Sequence, residues 1–175
     1  KKEKIINHRD ALANASFPKH SRFMALLKDR GLPVGTAESC TGGLLAKLLT
    51  DLPGSSAVFR GGVVSYTNGV KAGLLGVPQD LLDRYGAVSP QVAEAMARGA
   101  KAALGCDIAL STTGVAGPDA DDRGNPIGLV YLGLAWGDQC QVTEFHAGPV
   151  ERERGRRQAA QTALDLLRRH LTGLD

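Results

Sequence analysis

Apolar positions along the chain switch between a spacing of about two and a spacing of about 3.6, as they do where strands alternate with helices. Phe23, Leu26 and Leu27 share one helical face, and Gly31 with Pro33 supplies a stop signal. A short strand is expected over 34–37. Leu44, Leu45, Leu48, Leu49 and Leu52 then recur at spacings of three and four, which predicts an amphipathic helix over 41–52, ended by Pro53-Gly54. Residues 59–66 (FRGGVVSY) suit a strand thinned by Gly61 and Gly62, where another backbone is expected to pass closely. Two short helices are predicted over 68–75 and 78–85. Ser89-Pro90, an N-cap hydroxyl followed by proline, starts a third that runs to 104, with Val92, Ala93, Met96, Ala97 and Ala100 facing a core.

The second half continues the alternation. A strand is predicted over 107–113 and a loop over 114–127. Strands over 128–136 and 140–146 follow, joined by the hairpin signal Gly137-Asp138. A helix over 150–170 closes the pattern. Residues 1–20 are polar, with little periodicity, and are expected to form a loose arm. The domain proper is expected to be residues 21–175. Helices interleaved with strands and one hairpin predict an α/β fold, a three-layer α/β/α sandwich with a mixed central sheet in a single domain.

Composition narrows the function classes. With 175 residues, 43% hydrophobic and 22% charged, the chain is long enough for one packed core and is not disordered. No apolar run approaches the ~18 residues of a membrane span, and no apolar leader segment stands in the first thirty residues. Lys1 is not an initiator residue, as expected of a chain trimmed from something longer. The net charge of +3 and the scarcity of aromatics (5%) give no support to a nucleic-acid partner. Cys40, Cys106 and Cys140 form neither a disulfide framework nor a CxxC pair, so a reducing cytoplasm is the expected compartment. His8, His20, His146 and His170 are scattered, so no metal site is expected.

The densest chemical signal is TAESCTGG over 36–43, where a strand runs into a helix. Free N–H groups at such a junction could hold a developing oxyanion beside a hydroxyl, and the glycines would let a substrate approach. An N-capping role for Ser39 or Thr41 is equally compatible with the octet. A nucleophilic serine needs a base, and no histidine is convincingly placed. Lys71, in YTNGVK over 66–71, leaves a strand end at the start of a helix, and a buried lysine could serve. On spacing alone it also reads as an ordinary surface lysine. Cys40 is a rival nucleophile without a histidine partner. A second cluster, TTGVAGP over 112–118, also lies at a strand end, where ligands collect in open α/β sheets. A plain turn fits it as well.

These words occur in order with PGSS at 53–56, LLGV at 74–77, GAVS at 86–89 and RRQAAQTAL at 156–164. Together they resemble the C-terminal domain of the competence/damage-inducible CinA family, whose stand-alone form is a nicotinamide-nucleotide amidohydrolase. The resemblance implies metal-independent hydrolysis of nicotinamide mononucleotide to nicotinate mononucleotide and ammonia, with no cofactor. It implies Ser39 as nucleophile, Lys71 as its base and Tyr66 as a supporting hydroxyl in the proton relay. Substrate contacts are then expected from Cys40, Thr41, Gly42, Thr113, Gly114, Ala116 and Gly117. Arg152 or Arg156, with the loop 114–117, is expected to hold the phosphate. The family usually carries a GDR-type word before the last helix, and this chain has Val150-Glu151-Arg152 there; Arg152 aligns with that arginine. Expected partners are the small-molecule substrate and further copies of the chain. The competing class is a non-catalytic nucleotide-binding or assembly domain of a larger CinA-like protein.

Overall fold

The structure, a computed structural model, describes residues 4–7 and 20–173. Its elements in chain order are β1 (Lys4–Asn7), α1 (His20–Arg30), β2 (Val34–Glu38), α2 (Leu44–Thr50), β3 (Phe59–Val64), α3 (Asn68–Leu75), α4 (Gln79–Tyr85), α5 (Pro90–Leu104), β4 (Ile108–Gly114), β5 (Leu129–Trp136), β6 (Gln139–His146) and α6 (Arg152–Thr172). The sheet has the order β1-β6-β5-β4-β2-β3. Strands β3, β2 and β4 run parallel; β4, β5 and β6 are successively antiparallel, and β1 lies parallel to β6. The predicted mixed sheet and α/β class hold.

Helices cover both faces, as a sheet carrying parallel strands requires. On one face α1, α2 and α6 enclose a core that includes Phe23, Leu27, Leu45, Leu49, Leu132 and Leu167. On the other, α5 crosses the sheet centre with α3 and α4 beside it, burying Val92, Met96, Ala100 and Ala109. Ser89 caps α5 as expected, its hydroxyl accepting from the Val92 amide at 3.3 Å. Trp136 pairs with Gln139 across the two-residue turn, with Gly137 at φ 50°. Among the described residues no helix is long and apolar enough to cross a membrane.

Three expectations change. Lys4–Asn7 is not a loose arm: it adds a parallel edge strand, Ile5 opposite Glu144 and Ile6 opposite Phe145. Four residues are too few to show a period, so only the partner strand reveals the element. The rest of 1–19 lies outside the described residues. The helix predicted over 41–52 begins only at Leu44, because Gly42 and Gly43 adopt φ of 58° and 102° and break the helical path. The close neighbour of Gly62 is a side chain, not a backbone: a Cβ there would lie 2.4 Å from Thr36 Oγ1.

Candidate active site

Parallel neighbours in a sheet deliver their C-terminal ends to one edge, and β2 and β3 are such a pair. Ser39 directly follows β2, and its amide continues the ladder by donating to Thr112 O at 2.9 Å. β3 passes through Ser65 and Tyr66 into α3, whose N-cap Thr67 accepts from the Val70 amide. Lys71, in the first turn of α3, therefore points back across the strand ends. Its Nζ lies 3.1 Å from Ser39 Oγ, with the two residues 32 positions apart in sequence.

The setting of Lys71 is unusual for a lysine. It is 1% exposed, and its Nζ also contacts Ser65 O at 2.8 Å and Tyr66 O at 3.4 Å. No carboxylate is among those partners. Burial, which penalises the charged form, lowers its pKa from 10.5 to about 8. A neutral amine carries two hydrogens and one lone pair. Two carbonyls can only accept, so the two hydrogens go to Ser65 and Tyr66. The lone pair is left for the Ser39 hydroxyl. In the ammonium form all three contacts are donated by nitrogen, and Ser39 accepts.

Below Ser39 lies a polar network that sequence reasoning missed. Glu38 is 1% exposed, and its carboxylate accepts from Thr41 Oγ1 at 2.6 Å, Leu45 N at 2.7 Å and Ala46 N at 3.0 Å. Gly43, the N-cap of α2, has no side chain to cap with, so Glu38 does the capping from the strand end. Since Thr41 donates to the carboxylate, its oxygen accepts from the Thr112 hydroxyl at 2.7 Å. The only signal in the sequence was a charged residue at a strand terminus beside a helix start. Glu38→Ala removes the acceptor of three hydrogen bonds, leaving the Leu45 and Ala46 amides unpaired, and is expected to cost about 3 kcal/mol of stability, read by urea unfolding. A loss below about 1 kcal/mol would contradict this network.

The expected oxyanion donors, the amides of residues 40–42, are narrowed by the bonds around this turn. In α2 the Leu44 amide donates to Thr41 O at 3.0 Å and those of Leu45 and Ala46 to Glu38, while Gly42 N–H donates to Ser39 O at 3.0 Å. Among the described residues, no carbonyl or side-chain oxygen takes up the amides of Cys40 and Thr41. Cys40 itself is buried, and burial pushes its thiol up to about 12, so it is not a thiolate at neutral pH.

The other predicted residues separate. The Tyr66 hydroxyl is not on the Ser39–Lys71 pair: its side chain is 56% exposed and accepts from Arg152 Nη2 at 3.0 Å. Only the Tyr66 carbonyl reaches Lys71. Arg152 also donates to Gly117 O, so it spans the mouth between the segment after β3 and the loop after β4. Thr113 is buried, with its hydroxyl donated to Ala87 O at 2.6 Å. Gly114 is pressed against β5, where a Cβ would lie 2.5 Å from Leu129 O. Arg156 donates from Nε to Cys40 O at 2.9 Å and from Nη2 to Thr41 O at 3.2 Å. A narrow cleft beside the turn is lined by Cys40, Val115, Ala116, Ile127, Val150 and Arg156. On the other side Thr41, Gly42, Lys47, Glu153, Arg156 and Arg157 line an open basin. His146 is bonded to Glu144 at 2.6 Å. Among the described residues no three His, Cys, Asp or Glu side chains form a metal-binding group.

Comparison with known proteins agrees with this architecture. The pattern of the CinA C-terminal domain family matches residues 18–171. A CinA-like protein of Syntrophomonas wolfei is 54% identical over 147 residues, covering 84% of this chain. One from Geobacter sulfurreducens is 52% identical over 147 residues, covering 83%. The chain spans about a third of the length of these relatives, 35% in each case. Among solved structures, a CinA superfamily protein from Klebsiella pneumoniae superposes with a TM-score of 0.85 at 30% identity, over 89% of this chain and 97% of that one. A competence/damage-inducible protein from Agrobacterium tumefaciens gives 0.83 at 39% identity, over 89% and 94%. On sequence and structure alike, the chain belongs to the CinA C-terminal domain family.

Proposed function

We propose that this domain is a serine amidohydrolase that removes the amide nitrogen of nicotinamide mononucleotide as ammonia. The observation that carries this reading is the 3.1 Å contact between Ser39 Oγ and the buried Lys71 Nζ. Neutral Lys71 takes the Ser39 proton while Oγ attacks the carboxamide carbon. The tetrahedral oxyanion is met by the amides of Cys40 and Thr41. Lys71 then returns the proton to the departing nitrogen, which leaves as ammonia, and nicotinate remains esterified to Ser39. Water, deprotonated by the same amine, releases the acid and restores both side chains.

The mononucleotide carries a phosphate, and Arg152 is the cation suited to it. Among the described residues its guanidinium is held by the Tyr66 hydroxyl and the Gly117 carbonyl, at the rim next to Ala116. Incubation with nicotinamide mononucleotide is expected to yield ammonia and nicotinate mononucleotide one to one. If the nucleotide binds but no ammonia appears, the domain is a nucleotide-binding module and the amidase reading fails.

A further inference from the structure

The turn carrying Ser39 is gripped by its carbonyl oxygens, and that grip aims its free amides. In a trans peptide the C=O and N–H of one plane point in opposite directions. The plane between Ser39 and Cys40 is anchored at Ser39 O by the Gly42 amide, at 3.0 Å. The next plane, between Cys40 and Thr41, is anchored at Cys40 O by Arg156 Nε, at 2.9 Å. The Thr41 N–H therefore points away from the guanidinium. The second fork of Arg156, on Thr41 O at 3.2 Å, keeps the guanidinium from swinging off the first. Gly42 makes the approach possible, since a Cβ at that position would lie 2.9 Å from Arg156 Nη2.

We infer that Arg156 is a positioning residue, which fixes the Thr41 amide, beside that of Cys40, toward the oxyanion formed at Ser39. This rests on the serine amidohydrolase reading above and departs from a phosphate-holding role for the same arginine. A cation on a peptide oxygen also polarises that peptide and strengthens its N–H as a donor. The two roles differ kinetically. A phosphate ligand binds ground state and transition state alike, so its loss raises KM. An oxyanion donor acts only once charge develops, so its loss lowers kcat.

The test measures kcat and KM for ammonia release from nicotinamide mononucleotide by the wild type, Arg156→Lys and Arg156→Met, with rates expressed per folded molecule from thermal melts. Arg156→Met is expected to lower kcat about 100-fold with KM within about twofold of wild type. Arg156→Lys, a point charge without the fork, is expected to fall between the two. A raised KM with kcat unchanged would overturn the inference in favour of a phosphate contact. Unchanged kcat per folded molecule, with or without a lower melting temperature, would overturn it as well and leave a brace only. Failure of the amidohydrolase reading would be visible separately, as a wild-type protein that releases no ammonia.

Discussion

Ser39→Ala is expected to fold as the wild type does and to release ammonia from nicotinamide mononucleotide about 10³-fold more slowly, or slower still. The fold survives because the main chain at this position is held independently of the hydroxyl. The Ser39 amide donates to Thr112 O, and its carbonyl accepts from Gly42 N–H. What disappears is one hydrogen bond to Lys71 Nζ, which keeps the carbonyls of Ser65 and Tyr66. A change in stability within about 1 kcal/mol follows. Activity has no such reserve, since Cys40 next door is buried with its thiol held protonated and cannot take over the attack. A thermal melt and an ammonia assay on the same sample separate the two effects. Turnover within tenfold of wild type would reject Ser39 as the nucleophile.

Lys71→Met carries the second large effect. Methionine fills much of the same buried volume but offers neither a base nor a donor. Loss of a positioned general base is expected to slow turnover about 10²–10⁴-fold. Stability carries an independent signature of the same buried amine. In the folded protein Lys71 releases its proton near pH 8, whereas in the unfolded chain it does so near 10.5. Between those values the unfolded state binds more protons, so the wild type gains stability as pH rises, and the variant lacks that gain. The difference in melting temperature should thus move in favour of the wild type between pH 7 and pH 10. A difference that stays constant over that range would mean that Lys71 titrates as an ordinary solvated lysine.

How much of this was legible in the sequence follows from which contacts are local. Helix α5 could be read because its start signal, Ser89-Pro90, and its buried stripe from Val92 to Ala100 lie on consecutive turns. The β5–β6 hairpin could be read because Gly137-Asp138 supplies the turn within two residues. Ser39 and Lys71 stood out as residue types at strand ends, yet their meeting depends on β2 and β3 being parallel neighbours, which no local pattern encodes. Glu38 was harder still. Its three donors belong to Thr41, Leu45 and Ala46, and they converge only because Gly42 and Gly43 turn the chain with positive φ before α2 begins. Tyr66 and Arg156 show the remaining gap. A sequence names a phenol and a guanidinium, but which partner each meets is decided by the approach of α6, more than eighty positions after Tyr66. The strand Lys4–Asn7 is too short to announce itself without β6 beside it.

The most direct measurement is the pH dependence of kcat/KM for nicotinamide mononucleotide between pH 6.5 and 9.5, which reports ionisations of the free enzyme and substrate. With Lys71 deprotonating at about 8, activity should climb nearly tenfold per pH unit at the acid end and level off above about 8.5. In Lys71→Met that climb should vanish from whatever rate remains. A wild-type profile that is flat or falling through this range, or a rise that persists without Lys71, would contradict an amine that takes the proton of Ser39.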